Sequence, residues 1–279
     1  MTLSVLMSVY KNDSAAELRE SLESLCSQTR PAEQVVLVRD GAIGDELEFV
    51  ISDYLTKLPL LAVGYDENHG RAYALNYGMD FCTCDLIARM DADDICYPQR
   101  FEKQVCQFEK SPELKILGTG IEEFYLTPDG EVIRNIRLYP EYTTGKSKTL
   151  YKGTPLAHPT VMIRSDLLKL YKYNLNNQKY SQDIELWFRL LLNGQEIQTI
   201  QEPLLHFRIT DKTFSRRNVS KAKTELKIYV SSLYKLNGFS FLLAYPLIRF
   251  CSRLLPVSLI KRMYFSKSRQ KSVKMPIKI

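Results

Sequence analysis

The chain lacks the sequence marks of the commonest nucleotide and metal sites. Neither Gly-x-Gly-x-x-Gly nor Gly-x-x-x-x-Gly-Lys-Ser/Thr occurs in its 279 residues, which removes the usual dinucleotide and P-loop signatures. Its six cysteines, at 26, 82, 84, 96, 106 and 251, include no Cys-x-x-Cys pair. Cys82 and Cys84 stand too close for a zinc half-site and have no partner pair. They read as small buried residues of a reducing compartment. Met1 runs straight into a strand-like segment without a basic stretch and cleavage site, so a signal peptide is not expected. Phe239–Phe250 is apolar but short and broken by Pro246, well below the roughly 20 residues of a membrane span.

Acidic residues are scarce in one region. Residues 212–279 carry 16 Lys/Arg against one acid, Glu225, whereas residues 1–211 carry 22 against 31. The formal net charge of +6 therefore hides an acidic body and a basic tail. That asymmetry points to a polyanion or a membrane surface.

A hydrophobic content of 45% supports a sizeable core, and 279 residues suffice for one large α/β domain or two small ones. Four apolar segments, Ser4–Tyr10, Gln34–Asp40, Leu60–Val63 and Asp85–Met90, alternate with helical patterns. Ser14-Ala-Ala-Glu17 has the form of a capping box, followed by Leu18, Leu22 and Leu25 at helical spacing. Arg71–Phe81 reads as a second helix, and Gln99–Lys110, with Phe101, Val105 and Phe108 on one face, as a third. Such alternation predicts a mostly parallel sheet with helices on both faces. Ligands of open α/β sheets bind beyond the carboxyl ends of the strands. Tyr10, Asp40 and Asp91 all fall there, although Asp40-Gly41 also reads as a simple tight turn.

The fourth segment runs into Asp91-Ala-Asp-Asp94. Three carboxylates beyond a buried strand repel one another unless a hard cation sits among them. A nucleotide can then be held through a metal on its diphosphate, without a glycine-rich loop. Arg71, after Asn68-His-Gly70, adds a cation near that edge, free to pair with Asp91 or a phosphate or to stay solvated.

Ser4-Val-Leu-Met-Ser-Val-Tyr10, Val38-Arg-Asp-Gly41, Asn68-His-Gly-Arg-Ala-Tyr-Ala-Leu-Asn76 and Asp91-Ala-Asp-Asp94 resemble, in order and spacing, the family 2 glycosyltransferases of GT-A fold. The resemblance reaches to about residue 210. It implies a GT-A domain at 1–210, with a nucleotide-sugar half (1–100) and an acceptor half (101–210), followed by a basic amphipathic segment at 211–279. It places Ser8 and Tyr10 in the nucleotide pocket, Asp40 on the uracil ring and Arg71 on the nucleotide. Asp91 matches the acid near the ribose, and Asp93, with Asp91, the acid pair of the metal site. The cofactor implied is Mn2+ or Mg2+, with Asp94 in support. Many relatives carry Asp-Asp-Gly-Ser after the second strand, whereas this chain has Arg39-Asp-Gly-Ala42. Many also carry a His two residues after the Arg of the Tyr-Arg segment, and here Leu204-Leu-His-Phe-Arg208 is followed by Thr210 in that place.

The resemblance also supplies a general base. Tyr180-Ser-Gln-Asp-Ile-Glu-Leu-Trp-Phe-Arg189 matches the segment that usually reads Glu-Asp, then Leu-Trp, and Asp183 takes the place of its Asp. Acids also favour a first helical turn because of the backbone dipole, so a purely structural Asp183 stands beside the catalytic one. His158 reads either as a strand-entry residue before Pro159 or as an acceptor contact, with Trp187 and Arg208 as further acceptor or supporting residues.

In the tail, leucines and aromatics interleave with Arg253, Lys261, Arg262, Lys267, Arg269, Lys271 and Lys274. This mixture describes an interfacial segment on an anionic leaflet better than a nucleic-acid arm. A helix packed back on the body is the structural alternative for 225–260. The expected protein is an inverting, metal-dependent hexosyltransferase. It would move Glc or Gal from a UDP-hexose to a polyprenyl-diphosphate-linked saccharide in O-antigen or capsule synthesis, peripherally on the cytoplasmic face of the inner membrane, with no nucleic acid partner. A nucleotidyltransferase or metal phosphohydrolase using the same acids, and a non-enzymatic membrane adaptor, are the alternatives.

Overall fold

The computed structural model describes residues 1–127, 130–177, 181–211, 213 and 219–256. Four strands, β1 (Leu3–Val9), β2 (Gln34–Asp40), β3 (Leu60–Tyr65) and β4 (Leu86–Arg89), follow the four apolar segments and pair in parallel in the order β3-β2-β1-β4. β2 is a continuous apolar run because both of its faces are covered. Successive side chains of a strand point to opposite faces. Leu3, Val5 and Met7 of β1 accordingly join one core with helices α1 (Ala15–Cys26) and α2 (Asp45–Tyr54), while Leu6 joins another with α3 (Arg71–Met79). Ser14 caps α1, its hydroxyl accepting the Glu17 N–H at 3.4 Å.

Beyond β4 the sheet becomes mixed. β5 (Ile95–Cys96) follows the acid loop and leads into α4 (Arg100–Lys110). β6 (Ile116–Leu126), β7 (Val132–Arg137), β8 (Tyr142–Thr143), β9 (Met162–Arg164) and β10 (Ile197–Ile209) complete it among the described residues. β9 is antiparallel to both β4 and β6 and joins the two halves of the sheet, and β6 runs parallel to β10. Chain connections from β1 lead outward to β2 and β3, and β4 returns on β1's other side. The carboxyl ends of β1 and β4 therefore flank a topological switch point, where such sheets open a crevice.

Helices α5 (Ser165–Tyr171) and α6 (Gln182–Leu192) precede β10, and α7 (Val219–Asn237) and α8 (Ala244–Arg253) follow it. The two C-terminal helices pack on the body. Tyr229 and Leu233 of α7 are fully buried in the core that holds Trp187 and Phe188 of α6, with the Phe188 and Tyr229 rings edge-to-face at 5.1 Å. The outer side of the hairpin is apolar and open, with Phe241 88% and Ile248 64% exposed. No helix among the described residues is long and apolar enough to cross a membrane. Val257–Arg262 and the aromatic and basic residues from Tyr264 to Lys274 lie outside the described residues.

Candidate active site

β4 delivers its last residue, Arg89, buried at 2% exposure, directly beneath the acid loop. Carboxylate oxygens of Asp91, Asp93 and Asp94 lie within 4.8 Å of one another, yet the three differ electrically. Asp91 forms ion pairs with Arg89 and, at 3.5 Å, with Arg71. Burial pushes its pKa up, but the two guanidinium groups outweigh burial and hold it well below the carboxylate range. Asp94 is 1% exposed, and burial, followed by the charges of Asp91 and Asp93, lifts its pKa far above that range. Its Oδ1 accepts the Arg208 N–H at 3.0 Å, and its buried Oδ2 has no partner among the described residues. Burial and the Asp91 charge raise Asp93 likewise. Two carboxyl groups thus lack positive charge, one of them with an orphaned oxygen. An all-oxygen donor set with that deficit fits a hard divalent cation such as Mg2+ or Mn2+.

The loop's backbone is fastened from several sides. Ser21 of α1 donates to the Asp91 carbonyl at 3.2 Å. Arg208 of β10 donates Nε to the Asp93 carbonyl at 2.9 Å, pairs with Glu20 and Glu17, and lies 4.7 Å above the Phe124 ring. Arg208 is therefore a support of the acid loop. His206 faces other partners: it stacks on Tyr97 at 4.1 Å and pairs with Glu122 at 2.9 Å.

Asp40, at the end of β2, organises a second corner. Its Oδ1 accepts from the Tyr65 hydroxyl (2.9 Å) and from the backbone N–H groups of His69 (2.8 Å) and Gly70 (3.2 Å). Asn68 donates its side-chain amide to the Asp40 carbonyl at 2.9 Å. A Cβ on Gly41 would stand 2.8 Å from the Asn68 nitrogen, so this turn needs glycine for closeness as well as for its φ of +83°. Gly70, at φ +87°, then starts α3 and sets Arg71 toward Asp91.

Between these corners and the C-terminal hairpin lies a cavity of about 730 Å³. Its wall includes Gly70, Arg71 and Asp91 on the loop side, and His158 and Ser181–Ile184 farther along the chain. Lys221, Glu225, Arg249 and Arg253 of α7 and α8 also line it. Asp183 sits in the first turn of α6, behind a non-glycine N-cap, Ser181, held at φ +58°. His158 is 7% exposed and hydrogen-bonds the Tyr173 hydroxyl at 2.8 Å. Burial, aided by Arg89, drives its pKa well below the ordinary histidine value, so it is neutral at physiological pH. Trp187, 1% exposed, packs its ring 6.0 Å from His158 and is a support behind the wall.

The structure thus brings Arg71, Asp91, His158 and Asp183 to one cavity, with Asp93 and Asp94 beside it in the acid cluster. Ser8 and Tyr10, at the end of β1, and Asp40 stand outside that wall. Tyr180 lies outside the described residues. Sequence reasoning missed Arg89 and Asp13. Asp13 accepts the Tyr10 N–H at 3.0 Å, and burial, with the charges of Asp93 and Asp91 adding, pushes its pKa up to about 6. The signal for Arg89 was a charge ending an otherwise apolar strand. Asp13, just past Tyr10 at a strand's carboxyl end, carried the signal that singled out Asp40.

The family model for glycosyl transferase family 2 matches residues 4–171. The amylovoran biosynthesis glycosyltransferase AmsE of Erwinia amylovora is 33% identical over 94% of this chain and 97% of its own. An Escherichia coli protein named UDP-Gal:alpha-D-GlcNAc-diphosphoundecaprenol beta-1,3-galactosyltransferase is 30% identical, covering 91% of this chain and 92% of that one. Among solved structures, Staphylococcus aureus TarS residues 1–349 in complex with UDP-GlcNAc superposes with a TM-score of 0.64 at 18% identity. That match covers 96% of this chain and 74% of the other, and shares the GT-A fold.

Proposed function

Because the chain belongs to glycosyl transferase family 2, we propose that it is an inverting transferase of bacterial surface polysaccharide synthesis. It moves glucose or galactose from a UDP-hexose to a saccharide carried on a polyprenyl diphosphate. The observation that carries this reading is one cavity that holds both a paired cation and acid, Arg71 and Asp91, and a separate carboxylate, Asp183. The name of the Escherichia coli relative, with its diphosphoundecaprenol-linked sugar, supports the acceptor class, and that of AmsE the polysaccharide setting.

In this reading Ser8, Tyr10 and Asp40 border the nucleoside, Asp91 faces the ribose, and Arg71 steadies the diphosphate. Asp93, with Asp91, would hold Mn2+ or Mg2+, and Asp94 supports them from below. The bound ion supplies stabilisation of the charge that develops on the departing diphosphate. Asp183 accepts the proton of the acceptor hydroxyl as its oxygen attacks the anomeric carbon from the face opposite UDP. The bond from that carbon to the diphosphate oxygen breaks, the proton stays on Asp183, and an α-linked donor yields a β-linked product. Neutral His158, held by Tyr173, shapes the acceptor side without adding charge.

Residues 1–210 form the transferase domain, and 211–279 the segment that meets the membrane, at the cytoplasmic face of the inner membrane. The exposed Phe239, Phe241, Ile248 and Leu254 beside a basic tail support this placement. The test incubates purified protein with UDP-Glc or UDP-Gal, Mn2+ or Mg2+ and a lipid-diphosphate saccharide. Acceptor-dependent UDP release and a β-linked product by NMR are expected. An α-linked product, or UDP release indifferent to acceptor, would overturn the reading. Flotation with anionic vesicles tests the membrane placement, and protein left at the bottom of the gradient at physiological salt would refute it.

A further inference from the structure

The cavity has a cationic wall that the donor chemistry does not use. α7 contributes Lys221 and Glu225 to it, and α8 contributes Arg249 and Arg253. One oxygen of Glu225, which is 4% exposed, accepts from Arg249 at 2.9 Å and from Arg253 at 2.8 Å. Arg249 also donates to the Tyr229 hydroxyl at 3.3 Å and lies 5.1 Å above that ring. The guanidinium groups are thereby fixed in place while keeping 27% and 23% of their side-chain surface accessible. Three cations share this part of the cavity with two carboxylates, Glu225 and Asp183, a balance of one positive charge. Burial, and then the charge of Arg253, lowers the pKa of Lys221, while Asp183 and Glu225 act against them.

From this arrangement we infer that Lys221, Arg249 and Arg253 form the subsite that holds the diphosphate of the acceptor lipid. The inference rests on the lipid-linked acceptor proposed above. A diphosphodiester carries negative charge and several acceptor oxygens, which suit accessible guanidinium groups with their forked donors. Arg71 is engaged with Asp91, whereas Arg249 and Arg253 are fastened to Glu225, so the two diphosphates have separate anchors. The hairpin also explains where the lipid goes. Positions 249 and 253 of α8 face the cavity, while Leu247, Ile248 and the preceding Phe241 are 50%, 64% and 88% exposed on its outer side. A tail leaving the diphosphate meets an apolar surface at once, and the sugar is left toward Asp183.

The test titrates a short alkyl diphosphate, carrying no sugar, into protein saturated with UDP and Mn2+, followed by calorimetry. Wild type is expected to bind it, and Lys221→Gln/Arg253→Gln to bind it about tenfold more weakly, with UDP affinity within about twofold of wild type. Lys221→Gln alone leaves both Glu225 pairs intact, and a loss of about threefold is expected from it even if the double variant does not fold. Failure of wild type to bind the probe, or binding by both variants equal to that of wild type, would overturn the subsite. Binding through these cations without hexose transfer would leave the subsite standing and refute the transferase reading instead.

Discussion

The loop after β4 and the wall built by α6, α7 and α8 face one cavity but are made in different ways. The loop packs three acids into four consecutive residues and draws its cations, Arg89 and Arg71, from strand and helix ends at the switch point of a parallel sheet. The wall collects Asp183, Lys221, Arg249 and Arg253 from three helices, brought together by packing of Phe188 on Tyr229 and by the Glu225 ion pairs. A compact sequence motif suits the part of a substrate that all donors share, the nucleoside diphosphate. A wall assembled from distant helices can change residue by residue, which suits an acceptor that differs between polysaccharides.

The contrast breaks first at Asp93. Asp93→Ala should lower metal-dependent transfer by roughly 10³-fold, measured as UDP release with and without acceptor. Retention of metal-dependent activity would remove the loop from the donor's chemistry. Asp183→Asn tests the other side: kcat should fall by about 10²- to 10⁴-fold, the range for losing a general base. Its affinity for UDP by calorimetry should stay at the wild-type value, since a matching loss of UDP binding would merge the two regions. Arg208→Gln sharpens the distinction, because the Arg208 side chain donates to the loop at the Asp93 carbonyl, while the bond to the Asp94 carboxylate comes from its backbone N–H and survives the change. Apparent metal affinity should weaken by roughly 10-fold, the scale of supporting contacts around a metal, with acceptor KM unchanged.

The smallest effect concerns stability. Asp13 binds its proton more tightly folded than unfolded, its pKa rising from 3.8 to about 6. The folded state is therefore favoured below about pH 4 and loses that advantage as pH rises through 6. Asp13→Asn should make the metal-free protein about 1–2 kcal/mol more stable at pH 7.5 by urea denaturation, with the gap closing near pH 4. A gap that persists at pH 4 would remove the charge explanation.

The sequence made the nucleotide half legible because its physics is local. Apolar runs between helical stripes mark β1 to β4 within one or two residues of their observed ends, and these strands pair in the parallel order that the alternation with helices requires. β9 was not legible, since its place between β4 and β6 depends on two pairings distant in sequence. Arg208 read as either an acceptor contact or a support, and its bond to the Asp93 backbone carbonyl leaves no trace in a pattern of side chains that would decide between them. The basic tail read as an interfacial segment, with a helix packed back on the body as the alternative for 225–260. Its first helix carries apolar residues that join α6 in one core, and three of its cations, Lys221, Arg249 and Arg253, line a cavity, a placement that composition alone does not contain.

The triple acceptance at Asp40 Oδ1 has a mechanical consequence. The carboxylate that borders one end of the crevice also grips the turn from which α3 departs, and Arg71 is the first residue of that helix. Asp40 cannot shift without moving the backbone that aims Arg71. The two ends of whatever lies along this edge are sensed by a single lever, with Gly70 as its fulcrum.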